Sequence, residues 1–457
     1  MALLGAWVIL GIVGGPTDTW QILFQNVSSI QVYITDILLI RQQSNSQRSL
    51  LTTLAEMQSR NQTCDRLLRQ IPSCQWMETH KSPAKKIMSP NGKAIEDETE
   101  ESILLDMRMS RLAYAWNRTC HTAAVGIGSL YTLIFYWIGI FVWVGIGPLF
   151  QFSNTWQLYI NTAAAVVLTF TSMFLQNVEQ RQEDNLEKSL KYATKIDAEV
   201  EYRLRELTAD QKPNPIFEIP PPRVTRVERS IDTFGDLMAS GIGVTFSLVV
   251  TIVWIAVGPT LKFDDNWVLI IGTFTGLVGF IDGFVLRNLY SRGEKGAEEQ
   301  FRAIADADKR LLDLLNLPHP ERKQSKPPTL DVKVSNKISD LCGRAGTSVL
   351  SVILVILLLI IASILQWSET GQLLCNTPTM IIEGFLLLVL IQAHNVSSAA
   401  RGREFSGILK RRVLLNYHVN NVEMVNYDPS VVEEAVARPM RASRFSLMPE
   451  RLSRIMR

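Results

Sequence analysis

The 457-residue sequence predicts an all-α fold: a polytopic membrane helix bundle of tandem two-helix hairpins, with cytosolic amphipathic helices between them. Three observations predict it. Long uncharged blocks alternate with charged ones, a Gly-Pro turn followed by a tryptophan-started helix recurs, and lysine and arginine gather in the long connections. Averages conceal this pattern, since 47% hydrophobic residues, a net charge of +2 and a mean hydropathy of +0.11 would suit a soluble protein. Segregation of the apolar residues into blocks is what separates the two classes.

Ala123–Gly147, Gln157–Leu175, Leu237–Gly258 and Ala345–Trp367 carry no charge. Each reaches the roughly 18–20 residues that bridge a hydrocarbon core of about 30 Å. Trp20–Ile40, Trp267–Leu286 and Gln372–Ala393 would qualify but for one carboxylate each. Met1–Gly15 is apolar but short, and it lacks the basic start of a signal peptide, so it reads as a truncated hairpin helix. The total expected is about eight spanning helices.

The turns explain the pairing. They read VWVGIGPLFQFSNTWQLYINT at Val142–Thr162 and WIAVGPTLKFDDNWVLIIGT at Trp254–Thr273, with a related stretch at Trp7–Asn26 and a worn copy at Trp367–Thr377. Pro and Gly end one helix, polar residues turn, and tryptophan anchors the next helix at headgroup level. Residues 1–41 thus form the first hairpin and 42–110 a cytosolic loop. A second hairpin with its charged helix follows at 111–207, a Pro-rich linker at 208–228, a third hairpin unit at 229–316, a linker at 317–332, a fourth hairpin unit at 333–415 and a basic tail at 416–457. In the charged helices, Leu190, Ala193, Ile196, Val200 and Leu204, and later Phe301, Ile304, Leu311 and Leu312, make apolar stripes. Such stripes pack on neighbouring helices or lie on a membrane surface. The tight turns hold almost no basic residues, which places them outside and the long loops and C-terminus in the cytosol.

The five cysteines show no metal-ligand spacing, and the chain lacks a phosphate-binding P-loop, an H-E-x-x-H pair and a G-x-S-x-G elbow. No enzyme chemistry, resident cofactor or nucleic-acid partner is expected; membrane lipid and a possible homo-oligomer are. The tail at Arg438–Arg457, with Ser443 and Ser446, could bind anionic headgroups under phosphorylation control or be plain disordered chain.

The stretch Gly147–Glu199 carries a Gly-Pro turn (Gly147, Pro148), Thr155-Trp156-Gln157-Leu158, the pair Asn161-Thr162, Phe174-Leu175-Gln176-Asn177, and Arg181 before a charged helix. This long pattern resembles the signature of the low-affinity iron permease family, departing from it at Ala163-Ala164-Ala165. The resemblance implies low-affinity passage of Fe(II) across the plasma membrane, with copper and zinc also carried by fungal members. Iron is then cargo rather than cofactor. The alternative is a membrane scaffold or metal sensor that keeps the fold without transporting.

Candidate ligands follow. Asp36, Asp282 and Glu383 lie within second hairpin helices, where a charge costs about 2.5–3.5 kcal/mol and is rarely left facing lipid. Fe(II) accepts carboxylate and carbonyl oxygen. Asp36 could instead pair with Arg41, and Asp282 with Arg287. Asn117 with His121, Asp232 with Asp236, and Asn336 with Asp340 recur four residues apart at the inner ends of first helices, as a pore-mouth site or as helix caps. Asn161 and Gln176 either face a path or join helices by hydrogen bonds. The candidate metal-facing set is therefore Glu383, Asp282, Asp36, His121, Asp236, Asp340, Asn161 and Gln176.

Overall fold

A computed structural model describes residues 18–71, 111–319 and 330–420 and isolated positions before them, apart from the side chains of residues 18, 19, 111–117, 121, 265, 266, 330 and 331. Most of the first helix of the expected first hairpin, residues 72–110 of the expected loop at 42–110, and residues 421–457 of the expected tail, with Ser443 and Ser446, lie outside the described residues; residues 42–70 of that expected loop are helix. Among the described residues the fold is helical, without strands.

Ten α-helices follow one another among the described residues: α1 (Asp18–Gln70), α2 (Arg111–Ile127), α3 (Leu130–Ile146), α4 (Asn154–Thr208), α5 (Arg226–Ala239), α6 (Gly241–Val257), α7 (Asp265–Leu314), α8 (Leu330–Cys342), α9 (Ala345–Ile364) and α10 (Glu369–Asn420). Six are long and apolar enough to cross a membrane: α1, α3 with its terminal 3-10 turn, α4, α7, α9 and α10. The bent pair α5 and α6, with an angle of 65°, makes a seventh.

The sequence separates spanning helices from charged amphipathic ones; the structure fuses them. Helices α1, α4, α7 and α10 run unbroken for 53, 55, 50 and 52 residues. At about 1.5 Å per residue each is some 75–80 Å long, more than twice a hydrocarbon core. The fusion has a local reason: no Gly-Pro pair interrupts the passage from the apolar to the charged part, and Ser44 and Asn45 of α1 or Asn288 and Gly293 of α7 stay within the helix. Pro378 lies inside α10 without ending it.

The first hairpin helices are the ones that break. Ser129 caps α3 by accepting from the Thr132 amide, and Ser240 caps α6 by accepting from the Ile242 amide. A short helix, α2, α5 or α8, therefore precedes each outer spanning helix at an angle of its own. Helix α5 begins with a full capping box, Thr225 and Glu228 each satisfying the other's amide.

The four long helices form a closed ring in the order α1, α4, α10, α7 and back to α1. Helices α1 and α10 therefore face each other across it, as do α4 and α7. Outer helices lean one place round the ring: α3 on α10, α9 on α7 as well as on α10, and α6 on α1 as well as on α7. Tyr136 of α3 fixes one such contact, its hydroxyl donating to the Ile381 carbonyl at 2.6 Å.

Two reciprocal tryptophan pairs clamp the tips. Trp143 and Trp156 stack at 3.9 Å, each indole N–H donating to the other's carbonyl. Trp254 and Trp267 repeat the arrangement at 4.3 Å. The turns pass through left-handed residues, Gln151 and Phe152 in one and Lys262 and Phe263 in the other.

Beyond the apolar spans, the ring continues as a second core. The predicted stripes supply it: Leu190, Ala193, Ile196, Val200 and Leu204 of α4 meet Phe301, Ile304, Leu311 and Leu312 of α7, together with Leu54, Leu67, Ile408 and Leu409. Of the two readings of those stripes, packing on neighbours is the one observed. The Pro-rich segment after α4 has no regular secondary structure and is tied down, with Pro215 and Asn214 accepting from Ser59 and Thr63 of α1.

Candidate functional site

The inward faces of the four long helices carry an unusual density of polar groups for membrane depth. Buried there are Gln25, Asn26 and Ser28 of α1, Asn161 and Thr169 of α4, Thr273 and Thr275 of α7, and Asn376 and Thr377 of α10. Without water, each polar group must find a partner inside the protein. Many do: Gln25 donates to the Leu158 carbonyl and to the Thr162 hydroxyl, and Asn26 donates to the Val268 carbonyl at 2.7 Å. Others do not. Both amide atoms of Asn161, the Asn376 carbonyl oxygen and the Thr377 hydroxyl have no hydrogen-bond partner among the described residues.

Asp36, Asp282 and Glu383 come from three different long helices, α1, α7 and α10, and meet inside the ring. All three are buried, at 1%, 0% and 4% exposure. They stand in one another's electrostatic field, Asp36 beside Glu383 and Asp282 within range of both. Among the described residues neither oxygen of Asp282 has a hydrogen-bond partner, and Asp36 has none besides Glu383. The sequence-local cation offered to Asp282 is turned elsewhere: the Arg287 guanidinium lies over the Tyr290 ring, 5.5 Å from its centroid. Carboxylates so placed call for counter-charge, supplied by a cation or by protons. As they stand, among the described residues, no three His, Cys, Asp or Glu side chains close around a single point as a metal cage would.

The remaining sequence candidates lie apart from this cluster. Asp236 and Asp340 are exposed and sit beside Arg48 at 3.6 Å and Lys295 at 3.9 Å. Asp232 is bound by both Nη atoms of Arg292. His121 is in α2 with its side chain outside the described residues, so it takes no part in the geometry. Gln176 is half-buried on α4, while Asn161 is fully enclosed.

A second buried polar centre was not among the sequence candidates. In the distal part of the ring, Arg412 of α10 pairs with Asp197 of α4 and, at 3.3 Å, with Asp308 of α7, and it donates to Asn61 of α1 at 3.2 Å. Asn61 donates to Asp308 in turn. One residue from each long helix is thus joined at the axis. A signal was available, since Asp197 and Asp308 each interrupt an apolar stripe, four residues after Ala193 and Ile304. Burial raises the Asp308 carboxyl to about 7, against the lowering pull of Arg411 and Asn61, and draws the Arg412 guanidinium down to about 9.

A helical ring with a buried carboxyl cluster and an oxygen-rich interior, held among lipid-length helices, defines a multi-pass membrane permease. The chain belongs to the low affinity iron permease family, whose model matches residues 116–212, 228–324 and 332–403. Each matched segment covers most of one short helix, the outer spanning helix after it and much or all of the following long helix. The low-affinity iron/zinc ion transport protein fet4 of Schizosaccharomyces pombe is 40% identical over 91% of this chain and 69% of its own length. The low-affinity Fe(2+) transport protein of Saccharomyces cerevisiae is 35% identical over 91% of this chain and 79% of its own length. No solved structure matches the chain.

Proposed function

We propose that this protein carries ferrous iron, and divalent ions of similar chemistry such as zinc, across the plasma membrane with low affinity. The observation that carries the reading is the meeting of Asp36, Asp282 and Glu383 from three helices inside the ring, all buried, with no ion pair to a basic side chain among the described residues. Oxygen donors suit Fe(II), and a loose cluster holds an ion weakly enough to release it. The relatives' names point to the same cargo.

The tryptophan-clamped tips face outward in this reading, and the distal four-helix core and C-terminus lie in the cytosol, because lysine and arginine collect on that side. The segments 111–207, 229–316 and 333–415 act as tandem units, each giving one wall to the ring, with Asp18–Gln70 giving the fourth. Asp236 and Asp340 stand near the inner mouths, where their basic neighbours would compete with a departing ion.

Initial rates of ferrous uptake in cells lacking their own iron transporters, at matched surface expression, test the proposal. The parent chain is expected to take up iron, and Glu383→Gln to lower the rate by roughly tenfold or more. Uptake unchanged by Glu383→Gln, Asp36→Asn and Asp282→Asn together would remove the cluster from the path. A parent chain that transports nothing would leave a scaffold or sensor as the better account.

A further inference from the structure

Helix α7 is bare where it faces the inside of the ring. Gly272, Gly276, Gly279 and Gly283 follow at spacings of four, three and four, which puts them on one face. That face looks inward, because Gly272 is approached both by Asn26 of α1 and by Asn376 of α10, and those helices lie on opposite sides of the ring.

What stands against three of the four glycines is a side-chain oxygen, while Gly283 meets the Leu386 side chain. A Cβ on Gly272 would collide with Asn26 Oδ1, one on Gly276 would lie 2.6 Å from Asn376 Oδ1, and one on Gly279 would lie 2.7 Å from Glu383 Oε1. Successive oxygens are therefore about 6 Å and about 4.5 Å apart along the axis, at 1.5 Å per residue. Only backbone without side chains lets them come this close. Glycine packing alone does not account for the arrangement: Asn376 is 3% exposed and its Oδ1 has no hydrogen-bond partner among the described residues, although it points into the groove. A buried amide oxygen left without a partner is costly unless something fills the place.

We infer that the glycine face of α7 is a wall of the ion route, and that Asn376, with Asn26, supplies the neutral oxygen ligands a divalent cation meets before Glu383. The inference rests on the transport reading above and gives it an order of ligands. Amide oxygens replace part of the hydration shell without holding the ion by charge, and the carboxyl cluster then receives it. The site takes small divalent cations that accept oxygen donors. Asn161 of α4, enclosed and with both amide atoms unpaired, stands at the corresponding distance from its helix start and belongs to the same level of the route.

The test uses the full chain in cells without iron uptake of their own, measuring ferrous uptake rate against concentration for the parent, Asn376→Asp, Asn376→Leu and Gly276→Ala. Adding charge at Asn376 is expected to lower KM several-fold and to slow the maximal rate, since a tighter first ligand releases the ion more slowly. Asn376→Leu and Gly276→Ala are expected to cut the maximal rate by roughly tenfold at unchanged surface expression. A parent that transports while all three variants match it in KM and rate overturns the inference and leaves the proposed function standing; a silent parent overturns that function instead. If Asn376→Asp fails to reach the surface, an Asn376→Cys variant decides. Labelling of its thiol by a methanethiosulfonate reagent added outside, slowed by Fe(II) or Mn(II), supports the route, and labelling at the parent's background level overturns it.

Discussion

Arg412 reaches across the axis of the distal bundle, its Nη2 lying 3.2 Å from Oδ1 of Asn61 on the opposite long helix. The guanidinium therefore occupies the centre of the ring where a straight continuation of the polar interior would run.

Removing that cation leaves Asp197 buried without the guanidinium it pairs with, and leaves Asp308 with the more distant Arg411, at 3.6 Å, and Asn61. Arg412→Ala is expected to cost about 3–5 kcal/mol, the range for breaking one side of a buried ion pair. Thermal unfolding of the detergent-solubilised protein measures it. Arg412→Ala combined with Asp308→Asn is expected to recover part of the loss, because one of the stranded charges is gone; a double variant no better than the single one would refute the pairing.

The same centre predicts a pH dependence. Asp308 faces Arg411 and Arg412 from α10, Asn61 and Cys64 from α1, and Asp197 and Glu201 from α4. Its carboxyl is raised to about 7 in the fold, against about 3.9 in an unfolded chain. A raised carboxyl adds stability fully below the unfolded value and loses it as pH rises through the folded one. On this account stability falls between about pH 4 and about pH 7, and Asp308→Asn flattens that slope. Melting temperatures of parent and variant across this interval provide the comparison.

The tryptophan clamps should behave as paired units. Trp156→Phe removes one indole N–H and much of the stack on Trp143, for an expected loss of about 1–2 kcal/mol. A cycle with Trp143→Phe should show that the second substitution costs less than it does alone. Strict additivity in the melting data would mean that the two rings do not support each other.

Loss of the capping box at α5 should be local. Thr225→Ala is expected to cost about 1 kcal/mol. Hydrogen exchange would show faster amide exchange in the first turn of Arg226–Ala239, with α6 unaffected.

Among the carboxylates, position rather than type should decide the effect on uptake. Asp36→Asn is expected to reduce the rate about as strongly as Glu383→Gln, whereas Asp236→Asn, exposed beside Arg48, should change it less than about twofold. Equal losses from Asp36→Asn and Asp236→Asn would count against the cluster as the seat of the ion.

The sequence made the spans and the three membrane carboxylates visible, because an isolated charge in an apolar run stands out. It did not show their meeting. Asp36 lies sixteen residues after Trp20 and Asp282 fifteen after Trp267, so the two do not occupy matching places in the repeat. Nor does chain order reveal that α10 sits between α4 and α7 in the ring. The fusion of spanning and charged helices was hidden by the change of composition, which marks the edge of a membrane and leaves the backbone helix unbroken. Arg412 went unnoticed because a basic residue near a basic tail looks solvated until its four-helix setting is known. The α7 glycines were overlooked for a related reason: their spacing becomes informative once Asn376 and Glu383 are seen opposite them.

The leaning of each outer helix onto a later or earlier member of the ring has a consequence for how the protein is made. Tyr136 and its acceptor Ile381 are 245 residues apart along the chain. At a synthesis rate of about 5–20 residues per second, α3 emerges roughly 10–50 s before its seat on α10 exists. Through that interval its Tyr136 hydroxyl has no native acceptor, and neither α3 nor the unfinished ring can settle. Newly made chains should therefore spend their early life as a loose set of inserted helices, exposed to quality-control factors until the last long helix closes the ring.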